Sequence, residues 1–113
     1  MADWKEISGA RISTLENLGN GNPKIMQALG ALDAAAKSKG ALDDKTRELI
    51  ALAVAATTRC DGCIAIHAEA AVKVGASRDE LLETLAMAIA LNAGAATVYS
   101  SHILEAYDAF AKK

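Results

Sequence analysis

Thr57-Thr58-Arg59-Cys60-Asp61-Gly62-Cys63-Ile64-Ala65-Ile66-His67 holds both cysteines of the chain and one of its two histidines. The stretch shows no period-2 alternation, and it suits a helix that opens at Arg59 or Cys60. At about 100° of turn per residue, Cys60, Cys63 and His67 then fall within an arc of about 60°. Two thiols and an imidazole are expected to meet at a helix N-terminus.

The thiolate is the reactive form of cysteine, so the local field decides its reactivity. A helix N-terminus offers partial positive charge and unpaired N–H donors, and both stabilise a thiolate. Asp61, in the same first turn, opposes that effect mildly. His67 lies one turn beyond Cys63 and is placed to take its proton. Cys60 is near enough to Cys63 for a disulfide, so one thiol would attack a peroxide or disulfide and the other would resolve the product. Position leaves the order open: closeness to His67 favours Cys63 as attacker, and the helix start favours Cys60. Gly62 is either tolerated in a first turn or leaves room for a substrate. Two other readings compete. Zinc would use Cys60, Cys63 and His67 with a fourth ligand from His102 or a carboxylate. Two inert buried thiols are the plainest alternative. A c-type haem is excluded, because Ile64 and not histidine follows Cys63.

Glu48 precedes this motif at the head of the run Leu49-Ile50-Ala51-Leu52-Ala53-Val54-Ala55-Ala56. It either complements the macrodipole of its helix or points inward to orient His67.

The order Glu48, eleven residues, Cys60, two, Cys63, three, His67 resembles the AhpD-like branch of the carboxymuconolactone decarboxylase family. The likeness covers about residues 41–111. It includes Arg47-Glu48-Leu49-Ile50-Ala51-Leu52-Ala53 and Val74-Gly75-Ala76-Ser77-Arg78-Asp79-Glu80-Leu81-Leu82. The resemblance implies an all-α domain of about six helices, with N-terminal helices over 1–40, that assembles as a homo-oligomer, a trimer or hexamer. It implies thiol-dependent reduction of a hydroperoxide, with a dithiol or thiol protein, such as a lipoyl group, as reductant. Cys63 would be the peroxide-reactive thiol, Cys60 the resolving one, and Glu48 with His67 a proton relay. No cofactor or metal is implied. The alkylhydroperoxidases of the family carry a histidine between the cysteines, where this chain has Gly62, and are longer. A non-redox decarboxylase of small lactone acids and a zinc-binding scaffold are the alternatives.

The 113 residues suit one domain. They are 52% hydrophobic but only 4% aromatic, and alanine makes up much of the difference. A domain this small buries about two-thirds of its unfolded surface. The chain therefore has more apolar helix face than it can hide alone, and association of identical copies is expected. The net charge of −2, with no basic cluster beyond Lys112-Lys113, argues against nucleic acid or an anionic membrane as partner. Met1-Ala2-Asp3-Trp4-Lys5-Glu6 lacks an apolar signal core, and the apolar run from Leu85 to Val98 is too short to span a bilayer. A cytoplasmic location is expected, where a cycling disulfide is favoured over a structural one.

Along the chain, Asp3 with Glu6 fits a capping box for a first helix near Trp4. Gly19-Asn20-Gly21-Asn22 reads as a break. Asn22 then caps a second helix with Pro23 in its first turn, and Gly40 ends it. Ile25, Met26, Leu29, Leu32 and Ala36 form its expected buried stripe. Asp43 or Asp44 caps a third helix running to about Thr57. Gly75 stops the fourth, and Ser77 with Glu80 caps a fifth that reaches about Leu91. Asn92-Ala93-Gly94 breaks the chain before a last helix holding Val98, His102, Ile103, Tyr107 and Phe110. His102, beside Tyr99, reads as a packing or surface histidine, with a place at the site rim as the alternative.

Overall fold

Four helices of the chain begin where the side chain of Asp3, Asn22, Asp43 or Ser77 satisfies a free N–H group, and these caps help set the architecture. A computed structural model describes residues 2–112 and holds six helices with no strand among them. They are α1 (Trp4–Gly21), α2 (Pro23–Ala36), α3 (Asp44–Thr58), α4 (Asp61–Lys73), α5 (Arg78–Leu91) and α6 (Ala93–Ala111). Met1 and Lys113, the outer limits of the expected domain, lie outside the described residues.

The side chain of Asp3 accepts from Glu6 N at 3.1 Å, that of Asp43 from Thr46 N at 2.8 Å, and Ser77 Oγ from Glu80 N at 3.0 Å. Each cap satisfies a donor that the helix leaves free, worth about 1 kcal/mol. At α5 the box is reciprocal, because Ser77 N also donates to Glu80 Oε1. Asn22 caps α2 with Pro23 in the first turn.

Helices α3 and α6 pack on each other and each on both α4 and α5, around a single apolar cluster. Leu52, Ile64, Leu81, Leu85 and Ile103 are its largest fully enclosed side chains. Burial of each contributes about 1.5–3 kcal/mol. Alanine fills much of the remainder, with Ala55, Ala56, Ala65, Ala68, Ala71, Ala96 and Ala106 all buried. These small side chains let α3, α4 and α6 approach closely. Tyr107 ties α6 to the α4–α5 turn by donating its hydroxyl to the Ala76 carbonyl at 2.7 Å. Helix α1 lies across α4 and α6, with Trp4 buried and its Nε1–H donating to Glu105 at 3.3 Å. His102 sits between Trp4 and Tyr99, at centroid distances of 6.1 and 5.0 Å, as a packing histidine.

Four details differ from the sequence expectations. Helix α1 runs through Gly19 and Asn20 to Gly21, so the break narrows to Asn22. Neighbouring turns pull the chain through those residues, and Met26 packs against Gly19 with its Cγ 3.0 Å from where a Cβ would lie. The expected buried stripe of α2 is not buried. Ile25, Leu29, Leu32 and Ala36 are exposed and Met26 is half-buried, because α2 touches only α1. Helix α2 ends at Ala36, and Gly40 supplies a left-handed φ of 67° further on. Finally α4 starts at Asp61, one residue later than Cys60. Among the described residues no helix is long and apolar enough to cross a membrane.

Candidate functional site

The turn between α3 and α4 is two residues long, and its geometry places the cysteines. Arg59 takes the left-handed conformation, φ 58° and ψ 44°, and its N–H closes α3 on the Ala55 carbonyl at 3.1 Å. That conformation turns the chain sharply and delivers Cys60 in extended form as the N-cap of α4. Cys60 Sγ accepts from Cys63 N at 3.2 Å, in the role that serine or aspartate takes at other helices. The two cysteines are joined as a disulfide, with their Cα atoms 5.2 Å apart. Cys60 therefore sits at the positive end of α4, facing its unpaired N–H groups.

Cys63 and His67 are one turn apart on α4, so they share a face. Cys63 also packs against the apolar cluster. From the facing helix, Glu48 reaches His67. Nδ1 of the imidazole lies 2.7 Å from Oε1 and 3.4 Å from Oε2. A carboxylate only accepts, so Nδ1 carries a proton, and in the neutral ring that tautomer leaves the lone pair on Nε2. The Glu48 side chain is 15% exposed and that of His67 34%. The carboxylate is thus largely enclosed while the imidazole keeps an open edge. Helices α3 and α4 run antiparallel, so the early turns of α3 lie beside the middle of α4. The inward-pointing reading of Glu48 is the one the geometry carries.

The start of α3 is held in turn by a second contact. Lys45 Nζ lies 2.8 Å from Glu80 Oε2, while Oε1 of the same carboxylate caps α5. The Lys45 ammonium holds the Glu80 carboxyl below the usual carboxylate range, aided by the Ser77 N–H. Hydrogen bonds from Thr46 do the same for Asp43.

One neighbour carries no signal in the sequence. Arg11 of α1 lies over Gly62, the residue between the cysteines. A Cβ at Gly62 would stand 3.2 Å from Arg11 Cδ and 3.6 Å from Cγ. The glycine leaves room for an arginine stem that a local reading of the motif had no means of finding. His102 stays with the aromatic packing of α1 and α6. Among the described residues, no three His, Cys, Asp or Glu side chains group as a ligand set, and both sulfurs are bonded to each other.

An all-helical domain with a cysteine pair capping one helix, and a Glu–His pair spanning two, defines the class of protein. The sequence model of the Carboxymuconolactone decarboxylase family matches residues 23–106, and the chain belongs to that family. A crystal structure of an apo-form carboxymuconolactone decarboxylase family protein from Legionella pneumophila superposes with a TM-score of 0.91 at 39% identity. The match covers 96% of this chain and 97% of that one. An uncharacterized protein of Haemophilus influenzae is 58% identical over 105 residues, 93% of each chain. An uncharacterized protein in the cox locus of Paracoccus denitrificans is 37% identical over 84 residues, 74% of this chain and 76% of that one. The family includes decarboxylases and AhpD-like peroxidases.

Proposed function

We propose that the protein is a thiol-dependent hydroperoxide reductase of the AhpD-like kind, cycling through the Cys60–Cys63 disulfide. The observation that carries this reading is the pairing of a bonded Cys-x-x-Cys helix cap with a carboxylate-oriented histidine one turn away. Decarboxylation of a lactone acid needs no disulfide, whereas a cycle through an intramolecular disulfide uses both thiols.

In the reduced enzyme, His67 Nε2 takes the proton of Cys63, and Glu48 stabilises the imidazolium that results. The Cys63 thiolate attacks the distal oxygen of the hydroperoxide. An S–O bond forms, the O–O bond breaks, and the alkoxide leaves with the proton from His67 as an alcohol. Cys63 is now a sulfenic acid. Cys60 attacks its sulfur, the S–S bond forms, and hydroxide departs with a proton as water. An external dithiol then donates two electrons and two protons, which restores both thiols and oxidises the donor to its own disulfide. The N-cap position of Cys60 assists that last step, since a thiolate facing the N-terminus of α4 is a good leaving group.

The working form we propose is a homo-oligomer in the cytoplasm, where a dithiol pool keeps the cycle running. Its support is the apolar surface left open. Ile25, Leu29 and Leu32 are exposed on α2, and Ile50, Val54, Met87 and Leu91 are exposed along a groove between α3 and α5. Faces of this kind are covered by protein partners.

The test is hydroperoxide consumption with dithiothreitol as donor. Wild type should turn over, Cys63→Ser should fall to the uncatalysed rate, and Cys60→Ser, whose Cys63 sulfenic acid only the external donor can reduce, should fall well below wild type. Turnover in either serine variant equal to wild type rejects the mechanism.

A further inference from the structure

The groove between α1 and the start of α4 has no part in the reaction described above, yet it borders the cysteine pair. Ile7, Ala10, Arg11, Thr14, Leu15 and Gly62 line it, around a volume of about 340 Å³. That size falls at the lower end of the range for small-molecule sites. Its walls are mainly apolar and come from one helix. Gly62 also lines it, so a ligand in the groove lies beside the segment between Cys60 and Cys63.

Arg11 is the one charged side chain in this lining. Its stem rests on Gly62, where an added Cβ would stand 3.7 Å from Nε as well as 3.2 Å from Cδ. Arg11 takes no part in any ion pair among the described residues. Arg11 as a whole is half-buried, and a guanidinium carried on a stem packed among apolar side chains, with no ion-pair partner, is suited to receiving a planar anion through two parallel hydrogen bonds. A bare phosphate would find a single cation here and no apolar match. A nucleic acid would need a basic surface that a chain of net charge −2 does not offer.

We infer that this groove is a binding site for an apolar chain bearing a carboxylate, with Arg11 holding the carboxylate and the side chains of α1 covering the chain. The inference rests on the proposed redox role of the cysteines for its meaning: it names organic-acid hydroperoxides as the substrate class. Gly62 gains a function in this account. Its missing side chain seats the Arg11 stem beside the motif.

Binding is measured without turnover, on the disulfide form, so the result is separate from the fate of the peroxidase reading. Octanoate and its uncharged counterpart 1-octanol are titrated by calorimetry, with amide chemical shifts to locate the site. Wild type should bind octanoate about tenfold more tightly than octanol, the difference one charge-assisted contact makes. Shifts should centre on α1 and Gly62. Arg11→Met keeps the apolar stem and should bring octanoate down to the affinity of octanol, and Arg11→Lys should restore part of the difference. Gly62→Ala should weaken octanoate with helix content unchanged. Equal affinity for the two ligands in wild type, shifts centred elsewhere, or octanoate binding untouched in Arg11→Met overturns the inference. Absence of peroxide turnover with octanoate binding intact would count against the proposed reaction and not against this site.

Discussion

His67 donates its Nδ1 proton to Glu48 Oε1 across 2.7 Å, joining the middle of α4 to the early part of α3. The contact fixes the ring orientation and leaves Nε2 outside the pair, on the helix face that His67 shares with Cys63 one turn earlier. Removing the imidazole should therefore cost proton transfer, while changing the carboxylate should cost only its support. His67→Ala is expected to lower kcat/KM for hydroperoxide about 100-fold. Glu48→Gln still accepts a hydrogen bond but leaves an imidazolium uncompensated, for a loss of about tenfold. Steady-state kinetics on both variants checks the order. A Glu48→Gln enzyme as active as wild type would show that the pair is merely structural.

The local parts of this site were legible in the sequence, and the reason is range. Caps at Asp3, Asn22, Asp43 and Ser77 act over three residues, so composition and spacing reveal them. The Cys60, Cys63 and His67 spacing is of the same kind. The stripe of Ile25, Leu29 and Leu32 was legible as apolar but not as exposed. Periodicity tells which face of a helix is apolar and says nothing of what covers it. The start of α4 at Asp61 depended on the left-handed turn at Arg59, a conformation that no arginine announces. The seat of Arg11 on Gly62 joins two helices distant in the chain, and only the fold brings them together.

Arg59 holds its left-handed φ of 58° at a cost that glycine would not bear. Glycine loses more backbone freedom on folding, which offsets part of the gain. Arg59→Gly should stabilise the fold by about 0.5–1 kcal/mol, read from the urea midpoint. A lower midpoint would mean that the arginine side chain contributes contacts outweighing the strain.

The Lys45–Glu80 pair gives a pH signature. Lys45 and then Ser77 hold the Glu80 carboxyl below its ordinary value in the folded protein. A carboxyl lowered on folding contributes stability above its unfolded pKa and loses it as pH falls through the folded value. Wild type should therefore exceed Glu80→Gln in stability at neutral pH, and the gap should close under acid conditions. Urea midpoints of both proteins across that range measure it. A gap independent of pH would mean that neither the Lys45 contact nor the Ser77 contact stabilises the charged carboxylate.

The apolar surfaces on α2 and along the α3–α5 groove make opposite predictions from those of the core. Leu52 is fully enclosed, and Leu52→Ala should cost about 2–5 kcal/mol. Leu32 and Met87 are 67% and 62% exposed, so Leu32→Asp or Met87→Asp should leave each chain folded and break self-association instead. Light scattering coupled to gel filtration reports the mass. A monomeric wild type contradicts the proposed assembly.

Mass spectrometry of the reduced protein after one equivalent of cumene hydroperoxide tests the sulfur cycle most directly. Wild type should lose two hydrogens, Cys60→Ser should gain one oxygen at Cys63, and Cys63→Ser should be unchanged. A wild-type mass that does not move, or an oxygen trapped on Cys60 in Cys63→Ser with none on Cys63 in Cys60→Ser, contradicts the account.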